Sequence, residues 1–145
     1  MKNHQTVVSL EKVLANTYAL YLKTQNYHWN VTGPSFKSLH DLFNAQYTDL
    51  SLAIDDIAER IRTLDSKVEA NFNYFEKTSK IKGGNENADS STMVKELAAD
   101  NETLAKILND TFKIASEEKD DATADLIIGR IEVHQKNVWM LKSSL

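Results

Sequence analysis

Residues 39–64 read LHDLFNAQYTDLSLAIDDIAERIRTL. Leu39, Phe43, Gln46, Leu50, Ile54, Ile57, Ile61 and Leu64 recur at intervals of three and four. At about 100° per residue they form one stripe within about 60° of Leu39, the signature of a long helix with a single core-facing side. Neither glycine nor proline interrupts the run, so a helix is expected over residues 35–64.

The segments on either side have related patterns. Upstream, Val7, Leu10, Leu14, Tyr21 and His28 share one face of a helix expected over residues 6–30. Val13, Leu20 and Tyr27 give it a second apolar face, and a helix apolar on two faces needs neighbours on both sides. The link VTGPS is short. Gly33 suits a positive φ at a helix end, and Pro34 suits the first turn of the next helix. A link this short folds the second helix back antiparallel to the first. Downstream, Val68, Phe72 and Phe75 can anchor a short helix, and SKIKGGNENADSS then reads as loop. A third long helix is expected over residues 91–117, with Met93, Leu97, Leu104, Leu108 and Phe112 on one face. The fourth, over residues 122–143, carries Ile127, Ile131, His134, Val138 and Leu141, with Thr123 or Asp121 as its N-cap. Short link, long crossover, short link is the ferritin-like four-helix topology. The expected fold is all-α: one bundle domain over residues 1–145, with a short extra helix in the crossover.

Composition agrees. The chain has 145 residues, four glycines and one proline, too little punctuation for an α/β or all-β fold of this length. It is 41% hydrophobic and 26% charged, a globular rather than a disordered profile. Cysteine is absent, which removes disulfides and thiolate metal sites. A formal net charge of −4 does not favour nucleic acid. No apolar run reaches membrane-spanning length. Glu11 and Lys12 stand where a signal peptide needs apolar residues. The reading is a cytoplasmic protein.

On the same helical wheel, Asp49, Asp56, Arg60 and Thr63 form an expected solvent face. A third face holds His40, Asn44, Tyr47, Ser51, Asp55, Ala58, Glu59 and Arg62. Asp55 and Glu59 are one turn apart, so their carboxylates project side by side. Paired carboxylates with an added imidazole suit a non-haem iron site. The plain alternative is a solvated Glu59 paired with Arg62. His40 and Asp55 stand fifteen residues apart, about 22 Å along a helix axis, so they cannot share an ion within one helix. Two copies packed antiparallel about a two-fold axis would bring His40 of one opposite Asp55 and Glu59 of the other. His28 would reach the same point across the turn. Such a site lies between subunits.

The stretches HWNVTGPSFKSLHDLF, DDIAERI and DDATADLIIGRIEVHQKNVWMLKS together resemble the Dps family of mini-ferritins over most of the chain. The resemblance implies a hollow dodecamer that oxidises Fe(II), preferring hydrogen peroxide, and stores ferric mineral, so protecting the cell from oxidative damage. It implies His28 and His40 as ligands from one subunit, Asp55 and Glu59 as ligands from the other, and Trp29 as an electron donor beside the centre; Tyr47 is a second nearby aromatic. One position departs: the family generally places Asp or Glu where this chain has Asn44, which implies one well-held iron and a weaker second. A shell with an impaired ferroxidase centre is the alternative. Zinc is expected to compete for the ligands. Asp121 and Asp125 match a three-fold pore lining, although acids in a first helical turn are also explained by the macrodipole. His134 lies on the core stripe and reads as a buried, bonded histidine. His4 is expected to be mobile. Family members that bind DNA tend to have lysine-rich tails. This chain offers only Lys2 and Lys142 near its ends, so strong DNA binding is not expected.

Overall fold

The computed structural model describes residues 3–145. Its elements are α1 (His4–Asn30), α2 (Phe36–Thr63), α3 (Phe72–Thr78), α4 (Ser90–Glu117) and α5 (Asp121–Lys142), with no strand among the described residues. α1 pairs with α2 and α4 with α5 as two hairpins, α1 also packs on α4, and α3 rests on α1. The expected four-helix bundle with a short helix in the crossover is therefore present. His4, expected to be mobile, is the exposed first residue of α1.

The α2 stripe is the core side. Leu39, Phe43, Gln46, Leu50, Ile57 and Ile61 are buried, against Leu97, Leu104, Leu108 and Ile127 from the other hairpin. The second apolar face of α1 is fully buried at Val13, Leu20 and Tyr27. That follows from a helix enclosed by α2, α3 and α4. Lys23, on the same helix, is 5% exposed, and its ammonium meets Asp100 at 2.8 Å and Glu96 at 3.2 Å. The Tyr27 hydroxyl donates to Glu96 (2.7 Å) and accepts the Asn85 N–H (3.1 Å). The crossover is thereby tied to α1. Asn16 adds a second tie, its Oδ1 accepting the Lys80 N–H at 2.9 Å.

Three local expectations change. Pro34 lies in the turn before Ser35, the N-cap of α2, and not in the helix itself. The N-cap of α5 is Asp120, not Thr123 or Asp121: its carboxylate accepts the Thr123 N–H (3.1 Å) and hydroxyl (2.6 Å). The expected solvent face of α2 is half occupied by α5. Arg60 bonds Asp120 (2.8 Å) and Thr123 (2.8 Å), and Asp49 receives both amino groups of Arg130 (3.2 and 3.0 Å). Asp56 and Thr63 stay exposed. Long polar side chains on this face bridge to the neighbouring helix, which a wheel of α2 alone does not show.

Burial would raise the Asp120 carboxyl, but the two Thr123 hydrogen bonds and the Arg60 guanidinium outweigh it and hold it below the usual carboxylate range. A lowered folded-state carboxyl gives stability that is present above its unfolded value and lost as pH falls through the folded one. Asp120→Ala removes the cap and strands Arg60, and should cost about 2–4 kcal/mol at neutral pH, below the fully buried limit because Arg60 keeps some water. In urea denaturation, the gap between wild type and variant should narrow as pH drops below about 4. A gap that is constant with pH would mean the carboxylate charge is not the source.

Candidate metal centre

α1 closes with the C-cap Val31, whose N–H donates to the Tyr27 carbonyl at 3.0 Å. The chain then reverses through Gly33 at φ +107°, a backbone state that L side chains rarely adopt. The reversal places His28, in the last turn of α1, against His40, near the start of α2. Nδ1 of His28 donates to the main-chain oxygen of His40 at 2.8 Å, and Nδ1 of His40 donates to that of His28 at 2.8 Å. A carbonyl can only accept, so each Nδ1 holds its proton. With Nδ1 as the donor, a neutral ring offers Nε2 as the lone pair by which imidazole binds a metal. The rings stack at 3.9 Å between centroids and 16° between planes.

Aromatic rings flank the pair. Phe36 lies 5.0 Å from His40 at 26°, and Tyr47 lies 5.2 Å from His28. Phe36 was not singled out in the sequence. Its only signal was the one-turn spacing to His40, which any helix surface offers many times.

Asp55 and Glu59 are exposed on the C-terminal half of α2. Glu59 is held above its usual value, first by a hydrogen bond with Asp55, then by the Asp55 charge, with smaller effects of burial and of Asp56. Repulsion between two neighbouring carboxylates is what a cation placed between them would relieve. Arg62 does not relieve it, because its Nη1 donates to the Ser66 carbonyl at 3.0 Å. The structure therefore keeps the two half-sets apart. Among the described residues, no three His, Asp or Glu side chains gather into a metal-holding group.

The other candidates are placed as follows. Asn44 is exposed one turn beyond His40. Trp29 is 62% exposed and lines, with Tyr18, Leu22, Phe72 and Phe75, a cleft of about 710 Å³ between α1 and the crossover. Asp121 and Asp125 are exposed at the start of α5. His134 is buried: its Nδ1 donates to Asn101 Oδ1 (2.8 Å) and its Nε2 accepts from Arg130 (3.2 Å). Burial, helped by the Arg130 charge, pushes it down to about 3. It is a neutral structural histidine. Lys142 is paired with Glu102 at 2.6 Å, and Lys2 lies outside the described residues. Among the described residues, no helix is long and apolar enough to cross a membrane.

Residues 8–145 match the model of the Ferritin-like domain family. The chain is 33% identical over 143 residues to DNA protection during starvation protein 2 of Bacillus anthracis, covering 99% of this chain and 98% of that one. It superposes on the crystal structure of Dps from Staphylococcus aureus with a TM-score of 0.94 and 33% identity, over 100% of this chain and 98% of that one. For the Dps protein of Vibrio cholerae O1, described as a ferritin-like diiron-carboxylate protein, the TM-score is 0.93 at 33% identity, over 98% of this chain and 89% of that one. The chain belongs to the Dps family. Membership supports a mini-ferritin role for this Dps chain and makes iron the metal at issue.

Phe36 stacks on the same His40 ring that stacks on His28. With His40 as a candidate ligand, Phe36→Ala in this Dps chain should weaken metal binding about tenfold, the usual cost of freeing a ligand's support, while the fold survives. Anaerobic Co(II) titration, followed in the visible d–d bands, checks this. Unchanged affinity would mean that the two hydrogen bonds alone position the ring.

Proposed function

We infer that this chain is a ferroxidase and iron store, whose centres form between two copies of the chain. The observation that carries this reading is the separation of the candidate ligands: His28, at the end of α1, stacked on His40 near the start of α2, and the exposed carboxylates of Asp55 and Glu59 one turn apart in its C-terminal half. An antiparallel two-fold pairing of α2 brings His28 and His40 of one copy to Asp55 and Glu59 of the other, twice per dimer. Nitrogen and carboxylate donors with positions left open suit Fe(II). They also suit zinc, which would compete.

Fe(II) is substrate here. Two Fe(II) ions each give one electron to hydrogen peroxide, the O–O bond breaks, and two protons complete two waters. No hydroxyl radical is released when both electrons come from iron. The ferric product collects as mineral inside a shell, taken as a dodecamer of six dimers. Asp121 and Asp125 serve as the negative lining of a three-fold pore that draws in Fe(II). Trp29 is an aromatic electron donor near the centre. The working compartment is the cytoplasm, and the benefit is protection from peroxide and free iron together.

Asn44 brings no charge to a centre that has to offset two divalent ions. The second Fe(II) is therefore held weakly, and Asn44→Asp should tighten it. The first test is anaerobic Fe(II) loading followed by substoichiometric peroxide. Near two Fe(II) oxidised per peroxide, with iron staying soluble in the assembly, is expected. Oxidation no faster than free iron would point instead to a metal-binding shell with a crippled centre. Asn44→Asp should add a second tight step to the Fe(II) titration, and an unchanged titration would count against Asn44 as the weak point. With Lys142 paired to Glu102 and a net charge of −4, DNA is not expected to be retarded in gels at moderate salt.

A further inference from the structure

His134 stands in a buried polar cluster that the metal centre does not use, and the protons of that cluster are fully assigned by its neighbours. Asn101 donates through Nδ2 to the Leu97 carbonyl at 2.8 Å, which leaves its Oδ1 as the acceptor. That oxygen takes the Asn137 amide at 3.2 Å and Nδ1 of His134 at 2.8 Å. Against the other ring nitrogen lies Arg130, which can only donate, with Nη2 3.2 Å from Nε2. Both neighbours thus require the same neutral tautomer. A second proton, on Nε2, would set one cation's N–H against another's at a side chain that is 1% exposed. Arg130 has no inner alternative: its Nε is buried without a partner, and its remaining bonds go to the half-exposed Asp49, at 3.2 and 3.0 Å. The groups that face the ring are therefore one cation from its own helix, the neutral Asn101 of α4, and Asp49 of α2 behind the guanidinium.

The same contacts close the seam between the two hairpins. α2 and α5 otherwise meet sparsely, chiefly where Arg60 bonds Asp120 and Thr123. We propose that His134 makes this seam acid-sensitive: the closed seam refuses a proton that the ring takes up once the seam opens, so mild acid favours opening. Opened, the ring is hydrated and titrates near the ordinary histidine value of about 6.5. Closed, burial and then the Arg130 charge push it down to about 3. Because the closed value is the depressed one, the seam keeps its full stability above the ordinary value and loses it as pH falls towards the closed one. The opening equilibrium rises about 25-fold between pH 7 and pH 5. Asp120, at the other end of the seam, does not act in this range, because its carboxyl is held below the usual carboxylate range.

The test is hydrogen exchange of the assembled protein at pH 7 and pH 5, read by mass spectrometry and corrected for the intrinsic exchange rate. In wild type, α5 peptides around His134 and α2 peptides around Asp49 should open about 25-fold more often at pH 5, and α1 peptides should change less. His134→Gln keeps an acceptor for Arg130 and a donor for Asn101 but does not titrate, so the rise at the seam should vanish. The other histidines titrate alike in both proteins and cancel in the comparison. An equal rise in every helix, or a rise undiminished in the variant, would overturn the proposal. Should the variant fail to assemble, nitrogen-15 NMR of histidine-labelled wild type at pH 5 takes its place. One ring still neutral with Nδ1 protonated is expected, and protonation of all four histidines would overturn the proposal.

Discussion

Two hydrogen bonds, each from an imidazole to the main chain of the opposite histidine, fix how α1 enters α2. They also settle a structural problem. The carbonyl of His28 is among the last four of α1, which no intrahelical N–H can reach. His40 supplies the missing donor. The turn at Gly33 makes the reach possible, and the bonds determine which nitrogen of each ring is left for chemistry. Helix termination, hairpin geometry and ligand tautomer are therefore a single arrangement. A substitution at either histidine disturbs all of them, so its effects on stability and on metal binding should be measured together.

The opposite half of the ligand set is built differently. Asp55 and Glu59 are exposed one turn apart, Glu59 is held above its usual value by the hydrogen bond with Asp55 and by the Asp55 charge, and among the described residues no ion pair joins either to a cation. The histidines gain from the fold around them, whereas the carboxylates are in an arrangement that favours a cation from outside. About 22 Å of rigid helix separates the two. A single chain accordingly offers one prepared imidazole pair and one unrelieved acidic pair, and neither alone is a complete site.

The α2 stripe could be read from the sequence because a core-facing helix repeats one requirement every three to four residues, and Leu39 through Ile61 answer it without exception save the half-buried Ile54. The double-faced α1 was legible for the same reason. What escaped was pairwise and long-range. Asp120 lies just outside the fourth helix as its periodicity defines it, and its role as cap became visible only with Arg60 brought alongside from α2. Asp49 and Arg130 are far apart in sequence, and each alone looks like a solvated charge. The candidates His28, His40, Asp55 and Glu59 could be singled out because their spacing is itself a pattern. The reciprocal bonds between the two histidines could not, because those depend on where a turn and a side-chain rotamer place single atoms.

On the proposed reading, a ligand set divided between the two ends of α2 couples metal to assembly. If Fe(II) binds only where two chains meet, it binds the dimer and not the monomer, and stabilises the dimer by mass action. The converse holds equally: conditions that dissociate the interface release the metal without touching a ligand. This gives the placement of the carboxylates a physical sense. A chain carrying all four ligands in one place would take up iron before a shell existed to contain the oxidised product. On the proposed reading, with the set divided, the isolated chain would have two half-sites of lower affinity, and tight binding would begin only when the wall of a container has begun to form.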